Sequence, residues 1–189
     1  MSYPSAVTTE RLDLRPVDPV ADLDALGRLF ADPEGWWYDP PGRHTDLEAS
    51  RRWLQRAAQR WDSDGLSYWT VRLREGGDVI RVGGDVIGVG GAQRHRSGAW
   101  NLLYRLDTRH QGRGYATELG QAAMQAAAFV DADAAFIAWA AEHNTPSRRV
   151  AERIGLVDRG LRIDASDGAT RLAYADRELD DELMPPLGS

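Results

Sequence analysis

The sequence predicts an α/β fold of the α+β kind, a mixed sheet with helices packed on its faces. Three observations predict it. Runs that read as strands outnumber runs that read as helices. Several strands follow one another at hairpin distance. The order is a strand, two helices and a group of strands, then helix, strand, helix and two closing strands, which places helices on sheet faces rather than in a bundle. The length, 189 residues, fits a single domain over 1–189.

The elements come in order. Thr9 to Pro16 alternates apolar and polar side chains and stops at proline, so it reads as a strand with one buried face. Leu23, Leu26, Leu29 and Phe30 repeat at helical spacing behind Asp22. A loop rich in proline, glycine and aromatics fills 32–44. Thr45 or Asp46 opens a second helix whose apolar side carries Leu47, Trp53, Leu54, Ala57 and Trp61. Residues 67–74 are a strand. Gly76–Val82 and Gly83–Val89 then form a seven-residue duplication, too short for a solenoid, that reads as a lengthened hairpin or, alternatively, a binding flap; either copy can be the one that pairs. Strands are predicted over 86–94 and 100–106, a helix over 112–128 with Leu119, Met124 and Ala123 or Ala127 inward, and a buried strand over 135–139. A helix over 145–154 stops at Gly155. Residues 161–163 and 170–177 close the sheet around a turn, and the tail, about 183–189, is predicted to fray.

Composition narrows the function. Hydrophobic residues make up 42% and charged residues 28%, enough for a core. No apolar run approaches the roughly 20 residues of a membrane span, and no leader pattern opens the chain. With no cysteine there is no thiolate metal site, disulfide or cysteine nucleophile. Four histidines without ligand spacing predict no metal. These features predict a cytoplasmic protein. The net charge of −6 argues against a nucleic-acid interface. All 23 basic residues are arginine.

The most informative segment is Arg109-His110-Gln111-Gly112-Arg113-Gly114-Tyr115-Ala116, between a strand and a helix. Free N–H groups and the positive helix end converge there, and glycine lets backbone approach an anion closely. A P-loop is excluded because the chain has no lysine, and a dinucleotide fingerprint wants three glycines near the start of a βαβ unit. Taken alone, the loop fits any phosphate, or a helix entry that merely uses glycine to turn.

Arg109-x-x-Gly112-x-Gly114 resembles the acetyl-CoA pyrophosphate motif of the GNAT N-acetyltransferases. The continuation through Glu118, the opening Thr9–Pro16 and the segment Glu142–Leu156 resemble the RimJ/RimL-like branch, which acetylates ribosomal-protein N-terminal alanines. The resemblance implies a mixed, mostly antiparallel sheet of about seven strands with helices on both faces. It is splayed between the fourth and fifth, here Trp100–Leu106 and Ala135–Ala141. It implies a pantetheine arm along Leu106, Asp107 and Thr108, a pyrophosphate held by Gln111, Gly112, Arg113, Gly114, Tyr115 and Ala116, with Asn144 on the pantetheine side and Ser147 near the thiol. Asn144 is equally a helix N-cap, and Glu118 reads as a structural contact.

Acetyl transfer from a thioester to an amine needs no covalent enzyme intermediate. It needs a neutral amine, donors for the carbonyl oxygen, and a proton for the leaving thiolate. Many GNAT enzymes place a tyrosine acid in the late helix; the matching position is Ala151, which leaves Ser147 as the candidate. The related branch often carries a glutamate base early in the fourth strand; the matching position is Asn101, which cannot accept a proton at neutral pH. Glu34, Asp39 and His44 are alternative bases. Trp36, Trp37 and Asp39 are candidates for the acceptor pocket, with ordinary core filling equally compatible with the tryptophans. The implied partner is an amine, either a small molecule or a protein N-terminus; a homodimer is compatible but no motif supports one. Two other readings remain: an acyl-CoA sensor with little catalysis, and an ATP-binding protein using the same loop.

Overall fold

A computed structural model of the chain describes residues 3–74, 85–164 and 166–187. The strands are β1 (Val7–Thr8), β2 (Leu12–Pro16), β3 (Tyr68–Leu73), β4 (Val86–Arg94), β5 (Trp100–Leu106), β6 (Phe136–Ala140), β7 (Val157–Ile163) and β8 (Thr170–Ala175). The helices are α1 (Leu23–Ala31), α2 (Leu47–Asp64), α3 (Tyr115–Val130) and α4 (Thr145–Arg153). One eight-stranded sheet runs β1-β2-β3-β4-β5-β6-β8-β7. The eighth strand, beyond the seven expected, is the two-residue β1, which pairs Val7 with Leu14.

Every pairing is antiparallel except β5 with β6. That parallel pair holds for three residues only, Trp100 with Phe136, Asn101 with Ile137 and Leu102 with Ala138. Beyond it β5 stays bonded to β4 as far as Leu106, and β6 stays bonded to β8 through Ala140. The sheet therefore opens between residues 103–106 and 139–140, at the splay the resemblance implies.

Three buried clusters make the core, and the two larger ones cover the faces of the sheet. On one, Leu12, Leu14, Trp69, Ile87, Leu102 and Leu106 meet Leu119, Ala123, Ala126 and Ile154 of the α3–α4 side. On the other, Leu23, Leu26 and Phe30 of α1 and Leu54 and Ala57 of α2 meet Tyr68 and Val89. Sequence explains both. Leu23, Leu26 and Phe30 make one buried stripe. Asp46 begins α2 by accepting the Ala49 N–H at 2.7 Å, and Gly65 ends it at φ +75°. Leu47, placed on the apolar side by its spacing, is instead 47% exposed. Gly90 lets α3 lie close to the sheet, since a Cβ there would sit 2.7 Å from Leu119 Cδ2 and 2.8 Å from Tyr104 Cβ.

The second copy of the duplication supplies the start of β4, where Val86, Gly88 and Val89 pair with β3. The first copy lies outside the described residues. Where the sequence predicts a frayed tail, residues 184–187 dock on β7: Met184 is buried, the Ile163 N–H bonds the Pro185 carbonyl and the Leu187 N–H bonds the Leu161 carbonyl. A free edge strand needs backbone partners, and the tail provides them.

Candidate active site

The glycine loop begins where β5 ends. Thr108–His110 make a short 3-10 turn, and α3 starts at Tyr115. Gly112 and Gly114 adopt φ of +74° and +84°, a region that favours glycine. The first-turn N–H groups of Tyr115, Ala116 and Thr117 have no acceptor in the preceding turn, as at any helix start. The N–H groups of Gly112, Arg113 and Gly114 likewise meet no acceptor among the described residues. A ring of unpaired donors at the positive end of a 16-residue helix suits a pyrophosphate.

The loop is braced from the N-terminal strand. Arg11 donates through Nη1 to the Arg113 carbonyl at 2.8 Å, and its guanidinium lies 4.8 Å from the Tyr115 ring centroid. Its Nε donates to Glu118 at 2.7 Å, and Glu118 also accepts the Arg11 N–H and the Thr9 hydroxyl. Glu118 is thus a structural clasp. Arg11 is missed by sequence reasoning, although it sits within the Thr9–Pro16 segment that carries the resemblance.

The splay leads from this loop into the sheet. Hydrogen-bonding groups alternate between a strand's two neighbours. On β5 the Trp100 N–H bonds the Ala135 carbonyl toward β6, and the Asp107 N–H bonds the Ile87 carbonyl toward β4. Alternation then directs the Tyr104 and Leu106 N–H groups into the opening. The Asp107 and Thr108 carbonyls accept the His110 and Gln111 N–H groups, so of the three residues expected to meet a pantetheine, Leu106 offers the open N–H. Gln111 Nε2 donates to the Leu106 carbonyl at 3.1 Å. The Asp107 carboxylate is bound by Arg109, which draws it down to about 2 despite some burial.

Leu106, Gln111, Ala116, Asn144 and Ser147 line one crevice of about 120 Å³, where Tyr104 joins them. Asn144 is buried and accepts the Ser147 N–H at 3.2 Å, so it is the cap of α4 as well as a wall of the crevice. The Tyr104 hydroxyl donates to Ser147 Oγ at 3.2 Å. Burial raises the Tyr104 phenol to about 12, outweighing the opposing bond to Ser147. Tyr104 therefore stays protonated at neutral pH. Sequence reasoning misses it, because the family's phenol is sought in the late helix, where Ala151 stands, whereas Tyr104 lies on β5.

A family model described as an acetyltransferase (GNAT) domain matches residues 11–157. The chain belongs to the GNAT acetyltransferase family. The acetyltransferase from Agrobacterium tumefaciens superimposes with a TM-score of 0.73 at 27% identity, covering 94% of this chain and 96% of that one. The RimL ribosomal L7/L12 alpha-N-protein acetyltransferase in complex with coenzyme A gives 0.71 at 22%, covering 93% and 98%. A GNAT-family acetyltransferase from Bacillus anthracis gives 0.69 at 22%, covering 90% and 96%. No curated protein matches.

In this GNAT chain a second, larger cleft of about 480 Å³ opens on the α1–α2 face of the splay. It shares Tyr38, Tyr104, Arg105, Asn144 and Ser147 with the first and adds Trp36, Asp39, His44, Asn101, Trp139, Asp164 and Arg171. The acceptor-side candidates divide. Trp36 and Asp39 line this cleft, whereas Trp37 is 52% exposed and lines the smaller crevice. The Trp36 face already carries the Arg105 guanidinium, 3.3 Å from its ring centroid, so it has no face open on that side for a second cation. Asn101 lines the cleft with its Oδ1 buried and unpaired. Glu34 is exposed and absent from both walls, which leaves Asp39 and His44 among the alternative bases.

His44 is half-buried. Its Nδ1 lies 2.9 Å from Ser50 Oγ and its ring packs 4.5 Å from Phe30. Burial first, then the Arg105 and Arg56 charges, lower its pKa against a weaker upward pull from Asp46, so it is neutral at pH 7.

Asp164 closes the far wall. It accepts from His95 Nε2 at 3.0 Å, from the Ser166 N–H at 2.8 Å and from Arg171 at 3.0 Å. Burial works to raise its pKa, but the bonds from His95 and Ser166 hold it at about 2. Its contribution is thus present above the ordinary carboxylate range and is lost as pH falls toward about 2. Asp164→Ala would leave buried His95 Nε2 without its carboxylate while Arg171 keeps Asp167, and is expected to cost about 1–3 kcal/mol in urea unfolding at pH 7. Among the described residues no cluster of three or more His, Asp or Glu could hold a metal ion, and no helix is long and apolar enough to cross a membrane.

Proposed function

We propose that the protein is an acetyl-CoA-dependent N-acetyltransferase that acylates a primary amine by direct attack in a ternary complex. The observation that supports it best is the continuity of the unpaired glycine-loop donors with the splay between β5 and β6. The residues present fit the cosubstrate: unpaired N–H groups, two positive-φ glycines and Arg113 for a pyrophosphate, and the Leu106 N–H for an amide. Acetyl-CoA, when bound, supplies the activated acetyl group as a thioester.

The chain's residues do the rest. The Tyr104 N–H, directed into the same opening, would donate to the acyl oxygen, as an oxyanion site requires. Ser147 holds a hydroxyl proton for the departing sulfur, and Tyr104 O–H donates behind it, so the hydroxyl that gives its proton is resupplied. Neutral His44 removes the proton from the acceptor amine, with Asp39 at the same wall. Asn144 fixes the start of α4 and with it Ser147. RimL, known with coenzyme A and named for ribosomal L7/L12, makes a protein N-terminus one acceptor to test beside small amines.

The chain has no cysteine, so thiol reagents read coenzyme A release without background. Acetyl-CoA should raise the melting temperature, and some amine should release thiol. Binding without release on any amine supports the sensor reading instead, and stabilisation by ATP but not by coenzyme A would sink the assignment. Gly114→Val tests the loop. A branched side chain at φ +84° is strained and its Cβ would start 3.3 Å from Arg11 Nη2. Acetyl-CoA affinity by calorimetry should fall about tenfold or more. Unchanged affinity with an intact fold places the pyrophosphate elsewhere.

A further inference from the structure

Two arginines of the described chain are almost fully buried, Arg105 and Arg162, each 8% exposed. Arg162 has an acid, Asp181, at 2.6 Å. Arg105 has none: no carboxylate of the described residues lies within salt-bridge distance of it. Its guanidinium stacks on Trp36, donates through Nη1 to the Gly35 carbonyl and through Nη2 to the Tyr38 hydroxyl at 2.7 Å. Those partners are neutral and use two of its five N–H donors. Asp39 and Asp32 act on it only from a distance, and burial is the larger influence, drawing its pKa down.

A buried charge is ordinarily paired, because leaving it unpaired forfeits its hydration without return. Arg105 breaks that rule at the wall of the acceptor cleft, beside Tyr104, whose own side chain points to the opposite face and meets Ser147. A positive group held this way also disfavours an ammonium next to it and matches an anion in a planar fork. A guanidinium preset against Trp36 loses little freedom on meeting a carboxylate. An amine reacting beside Tyr104 and Ser147 would lie one strand residue from Arg105, so amine and anion would belong to the same small molecule, a few bonds apart.

We propose that Arg105 receives a carboxylate of the acceptor, and that the substrate class is therefore a small amine carrying that carboxylate, such as a free amino acid, rather than a neutral peptide N-terminus. This rests on the acetyltransferase reading of the same site, and the experiment separates the two. Acceptors are compared in matched pairs: free amino acids against their carboxamides, β-alanine against 2-aminoethylphosphonate, and both against a short peptide. Acetyl-CoA binding is measured alongside by calorimetry.

For the best acceptor, kcat/KM for the carboxylate should exceed that for its carboxamide by about tenfold or more, the range of one charge-assisted hydrogen bond. In Arg105→Gln that ratio should fall to about one while acetyl-CoA affinity holds. Arg105→Lys, which keeps the charge without the fork, should retain part of the ratio and guards against a glutamine variant that does not fold. A wild-type ratio of one or below, a preference for the peptide or the phosphonate, or a ratio that survives Arg105→Gln overturns the inference and leaves the acetyltransferase reading standing. Absent acetyl-CoA binding overturns both.

Discussion

Ser147→Ala should lower kcat about 100-fold, Tyr104→Phe about tenfold, and the double variant should be no slower than Ser147→Ala alone. The reasoning is geometric. Ser147 lines both clefts, and the Tyr104 phenol reaches its Oγ. If Tyr104 acts through Ser147, removing the phenol matters only while the serine is present, so the two losses do not add. Steady-state rates with saturating acetyl-CoA and the best acceptor measure it. Full additivity would mean that Tyr104 protonates independently. Equal rates in all four proteins would mean that solvent supplies the proton. Tyr104→Phe keeps the ring that packs beside Leu102 and Leu119, so its unfolding midpoint should stay close to wild type.

How much of this was legible in the sequence follows from what each signal depends on. Strand and helix identity depends on local period, so β4 and β5 are found over the predicted residues 86–94 and 100–106. The glycine loop is legible because positive φ at Gly112 and Gly114 is a property of single residues. Leu47 is misplaced by its spacing because burial depends on distant partners: α2 turns it partly to solvent. β1 escaped because two residues carry no period. The site divides in the same way. Gln111 to Ala116 and Asn144 to Ser147 are contiguous motifs. Tyr104, Arg105 and Arg11 are not. Their roles arise where β5 parts from β6, where a loop folds over Arg105, and where α3 crosses the first strands. A linear pattern of residue types records none of those meetings.

His44→Gln should lower kcat/KM about 100-fold near neutral pH, and the deficit should shrink as pH rises toward the pKa of the acceptor amine. The sign follows from which form works. A base acts when unprotonated, and His44 is pushed below its ordinary value of 6.5 by burial and by Arg105. Wild-type kcat/KM should therefore decline on acidification only below that ordinary value, whereas the variant should decline from the amine's own pKa downward, because only pre-formed neutral amine reacts. Glutamine keeps a polar contact to Ser50 without a titrating group, so the comparison isolates the proton rather than the packing. Arg105→Gln supplies an independent check on the same limb. With the nearby cation gone, the His44 pKa should move up toward its ordinary value, and the acidic limb should move with it. Parallel profiles for wild type and His44→Gln would remove histidine from the chemistry and turn attention to Asp39, the other acid–base candidate at the same wall.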